Sequence, residues 1–242
     1  MKVDIQLLKD TISNKGYKWN DELNIVGIRT TIQVPDVFND LMCVVWKQKE
    51  MPKGLIPADM QMWLNKNLYV GANGLPLILD GNFGANSKFA LSQYEKSVGT
   101  ERMRSYTITT DPGTYWLNNP MNKLGTAVLK EGQWENCWAI GYHQGKHDHE
   151  ALVQVGKLSA YRDGDKDNIA EATNKVDSGL FGINIHGSSK TGMSTKIGKW
   201  SAGCQVFQVW DKKQEFLSIC KMFKEERKNR FTYTLLEEKD LK

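Results

Sequence analysis

The length and composition of the chain are those of a globular protein with one large domain, or with a core domain and a smaller appendage. The 242 residues are 40% hydrophobic and 25% charged, and the formal net charge is +4. No block of five consecutive lysines and arginines occurs, which argues against nucleic-acid binding. No apolar run reaches the roughly eighteen residues of a membrane-spanning helix, so no membrane insertion is expected.

The start of the chain and its cysteines indicate the compartment in which it is made. Residues 1–6 lack the charged and apolar regions of a secretory signal, so synthesis in the cytoplasm without a signal peptide is expected. The four cysteines lie far apart and have no CxxC spacing, which favours reduced thiols over a disulfide framework. No cofactor is expected.

The N-terminal part, residues 1–103, is predicted to contain a helix, two strands and an insertion. The apolar spacing in residues 4–15 predicts an amphipathic helix, and residues 23–32 and 41–47 have the composition of strands. Residues 51–100 are rich in glycine and asparagine after a short predicted helix around 59–67. Such a long excursion indicates either a flap packed on the core or a small subdomain.

Residues 104–242 are predicted to form a second, β-rich domain. Short strands separated by turn sequences are predicted over 105–110, 126–130, 137–142, 151–155, 158–162, 180–186 and 203–210. A helix over 212–227 and a last strand over 231–236 follow. The fold class is therefore mainly β with peripheral helices (α+β): a β-sandwich or barrel with an N-terminal helix-strand element and a C-terminal helix.

The pair with the clearest chemistry is His186, at the end of one apolar strand, and Cys204, at the start of the next. A polar loop, Ser188–Lys199, lies between them. A cysteine is a useful nucleophile only as its thiolate, and a nearby imidazole can act as the base that produces it. We therefore predict Cys204 as nucleophile and His186 as base.

Backbone groups around this pair can complete a site for acyl transfer. The carbonyl of Gly187 can accept the Nδ1–H of His186 and leave Nε2 to face the sulfur. Gly203 permits a tight turn that aims the N–H groups of Ala202, Gly203 and Cys204 at one point. These three amides are the predicted oxyanion hole.

The His-Gly pair, the glycine-containing loop and the Ser-x-Gly-Cys sequence resemble the active-site signature of the L,D-transpeptidase (YkuD-like) catalytic domain. The resemblance covers about Leu180–Phe207, and residues 109–116 and 182–186 are similar to bacteriophage proteins that carry this domain. It implies a YkuD-like fold and thioester chemistry on peptidoglycan stem peptides. Where the family usually has histidine and arginine, this chain has Ala202 and Val206, so hydrolysis is favoured over cross-linking.

The resemblance also implies a partner and a place of action. The partner is peptidoglycan, and the expected protein is a phage cell-wall hydrolase of the endolysin type. It would act on the wall after release from the host cytoplasm or as part of a virion. The alternative from another class is a non-catalytic wall-binding or virion structural module that keeps the fold.

Other polar residues are candidates for substrate binding. His143 ends a predicted strand and can point toward His186, and Ser201 lies beside the nucleophile loop. Arg29 and Arg162 can each pair with a stem-peptide carboxylate. His147, His149 and Glu150 are conceivable zinc ligands, but they lack the HExxH spacing, so no metal site is predicted.

Overall fold

The computed structural model describes residues 2–32, 34–173 and 175–241, and it divides into two compact units. One unit comprises residues 2–44 and 103–241, and the other comprises residues 45–102. The helices are α1 (Ile5–Asn14), α2 (Pro57–Lys66), α3 (Ala85–Ser97), α4 (Thr114–Asn118) and α5 (Trp210–Met222). The strands are β1 (Leu23–Arg29), β2 (Asp40–Lys47), β3 (Glu101–Thr109), β4 (Thr126–Leu129), β5 (Gly132–Tyr142), β6 (Glu150–Gln154), β7 (Leu158–Asp163), β8 (Val176–Gly179), β9 (Ile185–Gly187), β10 (Gln205–Phe207) and β11 (Phe231–Glu237).

Eight strands form a closed barrel in the order β1-β11-β5-β6-β9-β10-β3-β2. β1 and β11 pair in parallel, and all seven residues of β1 are buried, as expected for a parallel strand covered on both faces. α5 packs against β5, β9 and β10 and buries Phe216, Leu217 and Ile219. The two short barrel strands β9 and β10 are thus held by their neighbouring strands and covered by a helix.

A second sheet of three antiparallel strands, in the order β4-β7-β8, belongs to the same unit. Leu117, Val128, Tyr161 and Ala170 form a small core beside it. This sheet carries Arg162 on β7. The chain leaves the sheet after β8 and runs directly to β9.

The unit of residues 45–102 contains α2 and α3 around its own apolar core. Leu64, Tyr69, Leu77, Ala90 and Tyr94 are buried together there. The buried amide of Gln61 donates to Asp80, to the carbonyl of Asn82 and to Ser87, which fixes the glycine- and asparagine-rich segment between the helices. The segment predicted as a flap or subdomain is therefore a compact unit with a core.

The expectation of a mainly β protein with a few helices is confirmed, and the main sheet is a closed barrel and not a sandwich. The predicted strand over 180–186 is wrong in extent, because Gly182 has φ +74 and interrupts the extended backbone. Residues 2–44, predicted in a separate N-terminal part, lie in the same unit as residues 103–241. Within the described ranges, no helix is long and apolar enough to cross a membrane.

Candidate functional site

The site is built on two neighbouring parallel strands. β9 and β10 pair with His186 opposite Val206, and the N–H of Gln205 donates to the carbonyl of Asn184 at 2.9 Å. Cys204 comes one residue before β10, beside the residues that precede His186. The N–H of Asn184 donates to its Sγ at 3.4 Å, and its thiol faces the carbonyl of Gly182 at 3.5 Å. Strand pairing therefore fixes the thiol beside the segment that carries the histidine.

His186 is held in one tautomer by its own strand. Its ring is buried, and Nδ1 lies 2.9 Å from the carbonyl oxygen of Gly187. Because a carbonyl oxygen only accepts, the ring proton is on Nδ1 and the lone pair is on Nε2. Among the residues that the structure describes, none gives this Nε2 a hydrogen-bond partner. The predicted orienting group, Gly187, is thus in place, and Nε2 is free to take a proton.

The resting pair is a neutral thiol and a neutral imidazole. Burial raises the pKa of the Cys204 thiol to about 11, although the N–H of Asn184 opposes this shift. Burial, together with the nearby His143, holds the pKa of His186 well below its usual range. The thiol and the imidazole are therefore both uncharged near neutral pH, and Sγ of Cys204 hydrogen-bonds the main chain of Asn184 and Gly182.

Alkylation of Cys204 by iodoacetamide is expected to accelerate from neutral pH up to about pH 11, where the thiol ionises. The reason is that the free thiolate fraction grows about tenfold per pH unit below the pKa. The rate can be followed by mass spectrometry of the peptide that contains Cys204. A rate that is already constant above neutral pH would instead mean a preformed ion pair and would contradict this expectation.

The turn before the nucleophile is fixed by Ser201. Gly203 has φ +117, and its N–H donates to the Oγ of Ser201 at 3.2 Å. That Oγ donates in turn to the carbonyl of Cys204 at 2.8 Å, and Ser201 is fully buried. The hydroxyl of Ser201 is thus used inside the turn, and a role of Ser201 in substrate binding stays a prediction. With Gly203 engaged in this way, an oxyanion would be bound by the amides of Ala202 and Cys204.

His186 belongs to a cluster of three histidines. The ring of His143 stacks on His186 with centroids 3.9 Å apart and planes at 22°, and His149 approaches His186 edge-on at 5.4 Å. Trp210, the first residue of α5, packs against His149 at 5.0 Å. His143 therefore lies beside His186 as expected, and His149 is a neighbour that the sequence did not reveal.

The conceivable zinc ligands do not converge. His147 packs on the ring of Tyr142, His149 faces His143, and the carboxylate of Glu150 pairs with Lys221. Across the described parts of the chain, no group of three or more histidine, cysteine, aspartate or glutamate side chains is placed to hold a metal ion.

The two candidate arginines differ in their surroundings. Arg29 is buried, pairs with Asp111 at 3.2 Å and donates to Thr110 and to the carbonyl of Leu129. The guanidinium of Arg29 is thus engaged inside the barrel unit, and a role of Arg29 in substrate binding stays a prediction. Arg162 lines a cleft of about 260 Å³ together with Trp116, Phe181 and Ala202.

Two residues that line the cleft are near Cys204 along the chain or through its contacts. Ala202 lies two residues before Cys204, and Phe181 precedes Gly182, whose carbonyl faces the thiol. The guanidinium of Arg162 lies 4.8 Å from the ring of Phe181, donates to Asp177 through Nε and one terminal nitrogen, and donates to the carbonyl of Gly125 through the other. A ligand in the cleft would thus meet a cation, aromatic rings and the turn that carries the thiol.

Comparisons with family models, with curated proteins and with solved structures gave no match for this chain. The chemistry of the site must therefore be inferred from its own geometry.

Proposed function

We propose that the chain transfers acyl groups from peptidoglycan stem peptides through a thioester on Cys204, with hydrolysis as the main outcome. The observation that carries the proposal is the fixed tautomer of His186, whose Nε2 has a lone pair and, in the described part of the chain, no partner. A buried imidazole held in this way is suited to remove a thiol proton. We infer the substrate class from the resemblance of residues 180–207 to L,D-transpeptidases. The same resemblance is the basis for proposing a YkuD-like fold.

The first half of the reaction forms the thioester. His186 Nε2 takes the thiol proton as Sγ of Cys204 attacks a peptide carbonyl carbon, and the amides of Ala202 and Cys204 stabilise the oxyanion. The C–N bond then breaks, and the leaving amine takes the proton from His186. The acyl group remains on Cys204, and His186 is neutral again.

The second half releases the acyl group. Water gives a proton to His186 and attacks the thioester carbon, the C–S bond breaks, and the sulfur recovers the proton. An amine in place of water would give cross-linking by the same steps. Because Val206 lies where the related family has an arginine, no cation holds an acceptor carboxylate at that position, which favours water.

We place this activity at the bacterial cell wall, reached after release from the host cytoplasm or as part of a phage particle. The cleft beside Cys204 supports a stem-peptide substrate, since such peptides carry carboxylates that a guanidinium can bind.

A second candidate is a wall-binding or virion module without catalysis. The observation that favours it is the neutral resting thiol of Cys204, whose pKa of about 11 is that of an unreactive buried cysteine.

Intact-protein mass spectrometry after mixing with purified muropeptides decides between the two. Acyl transfer predicts a transient adduct that maps to Cys204 and has the mass of the muropeptide less the released amine, together with shortened muropeptides. Cys137 is the internal control, because it is another half-buried free cysteine and should remain unmodified. Unchanged muropeptides and an unmodified Cys204 would support the binding module.

Replacing Arg162 by glutamine is expected to raise KM roughly ten- to a hundredfold with little change in kcat, since charge-assisted hydrogen bonds to a carboxylate would be lost. The measurement is the rate of muropeptide conversion against substrate concentration. Arg104→Gln is the matched control, because Arg104 pairs with Glu215 away from the cleft. An unchanged KM for Arg162→Gln would show that the cleft does not bind the carboxylate.

A further inference from the structure

Asn184 connects the thiol to the histidine cluster. Its main-chain N–H donates to Sγ of Cys204, and its side-chain Oδ1 accepts the N–H of Gln154 at 2.9 Å. Since an N–H can only donate, the oxygen of the amide must face Gln154, and the Nδ2 of Asn184 therefore faces Nδ1 of His143 at 3.0 Å. The buried Asn184 thus has a fixed orientation.

This orientation fixes the tautomer of His143. Because Nδ2 of Asn184 donates, Nδ1 of His143 must accept, and the ring proton is on Nε2. His143 and His186 are therefore stacked neutral rings with opposite tautomers, Nε2–H in one and Nδ1–H in the other.

We propose that His143 is a positioning residue for His186: its neutral ring, held by Asn184, stabilises the imidazolium that forms when Cys204 gives up its proton. This inference rests on the proposed roles of Cys204 and His186. A cation lying 3.9 Å from an aromatic face is attracted to it, whereas a protonated His143 at the same distance would repel it.

The charged groups around the cluster also favour a neutral His143. Burial and the nearby Lys146 lower the pKa of His143. On the other side, burial, His143 and Lys213 lower the pKa of His149 to about 4, while Asp148 acts in the opposite sense. Lys213 is buried under Trp210, with its Nζ 3.5 Å from the ring centroid. All three rings are thus neutral near pH 7, and the new charge on His186 finds its closest aromatic face on His143.

The hairpin that carries His143 is built to hold this ring. The N–H of His143 donates to the carbonyl of His149 at 2.8 Å and closes the connection between β5 and β6. Gln144 then has φ 51, which turns the chain sharply after His143. Both histidines are therefore fixed by backbone hydrogen bonding close to the strand of His186.

The test compares His143→Phe with His143→Leu by the rate of Cys204 alkylation slightly below neutral pH. Free thiolate is too scarce there to carry the rate, so the part of the rate that remains reports proton transfer to His186. Both variants fill the space and both lose the hydrogen bond to Asn184, but only phenylalanine keeps an aromatic face. We expect His143→Leu to be slower by about tenfold and His143→Phe to stay within about threefold of the wild type.

Equal rates in the wild type and both variants, or an equal fall in the two variants, would overturn the proposal. If a variant fails to fold, histidine ¹⁵N chemical shifts of the wild-type protein provide a second test. They should show His143 protonated on Nε2 and His186 on Nδ1, and a proton on Nδ1 of His143 would overturn the proposal as well.

Alkylation needs no wall substrate, so this test is separate from that of the proposed function. Absence of muropeptide conversion with the expected alkylation pattern would remove the acyl-transfer activity but leave the role of His143 toward His186. Muropeptide conversion with equal alkylation rates would support the acyl-transfer activity and overturn the role of His143 toward His186.

Discussion

Cys204→Ala is expected to lower muropeptide conversion by at least about 10⁴-fold, because no other group can form the acyl intermediate. Removing a half-buried sulfur from the turn should change the folded structure little, since Ser201 and Gly203 hold the turn through their own hydrogen bond. The measurement is mass spectrometry of muropeptides after incubation with each protein, with the thermal-unfolding midpoint recorded for both.

Cys137→Ala provides the matched control for this substitution. Its sulfur is also free and half-buried, and it faces the carbonyl of Glu135 at 3.3 Å, outside the strands that carry the proposed site. We expect wild-type conversion from this variant. Conversion that persists in Cys204→Ala and falls in Cys137→Ala would show that the reacting thiol is that of Cys137 and would contradict the role of Cys204.

Gly203→Ala is expected to abolish conversion and to lower stability. A methyl group at this position would lie 2.3 Å from the carbonyl oxygen of Ala127, and φ +117 is a backbone conformation that alanine rarely adopts. Overpacking and strain of this kind cost about 3 kcal/mol together, which corresponds to a fall in the unfolding midpoint of roughly 5–10 °C. The turn must shift to relieve the contact, and Cys204 shifts with it.

Gly198→Ala is the control that separates backbone strain at positive φ from the steric clash with Ala127. Gly198 also has positive φ, at +51, but an added methyl group there meets nothing within 4 Å. This variant should carry only the strain of positive φ, lose about 1 kcal/mol of stability and keep its activity. Equal losses in Gly198→Ala and Gly203→Ala would show that the close approach of Ala127 is unimportant.

The sequence predicted those parts of the site that depend on near neighbours. The contact of His186 with Gly187 joins adjacent residues, and the tight turn at Gly203 follows from the residue type. The side chain of Arg29 could not be placed in this way. Its partners, Thr110 and Leu129, are far away along the chain, and only the folded barrel brings them to the guanidinium. A lone arginine in a sequence does not show whether it binds a ligand or a buried carboxylate.

The histidine cluster depends on the register of strand pairing, which the alternation of polar and apolar residues in the sequence does not determine. His149 reaches His186 because the hairpin of β5 and β6 closes between His143 and His149, and a shift of one residue would turn the ring away. The sequence does indicate that Asn184 lies near His186. It is a polar residue two positions before His186 in an otherwise apolar segment, so it lies on the same side of an extended chain.

The parallel pairing of β1 with β11 has a consequence for how the barrel is assembled during synthesis. Ile25 pairs with Tyr233, so closure of the barrel joins segments more than 200 residues apart. Such distant contacts form slowly, and β11 must leave the ribosome before they form at all. His186 and Cys204 leave the ribosome earlier, but their strands belong to a sheet that is still open. A nascent chain would therefore carry His186 and Cys204 in an open sheet until β11 has docked.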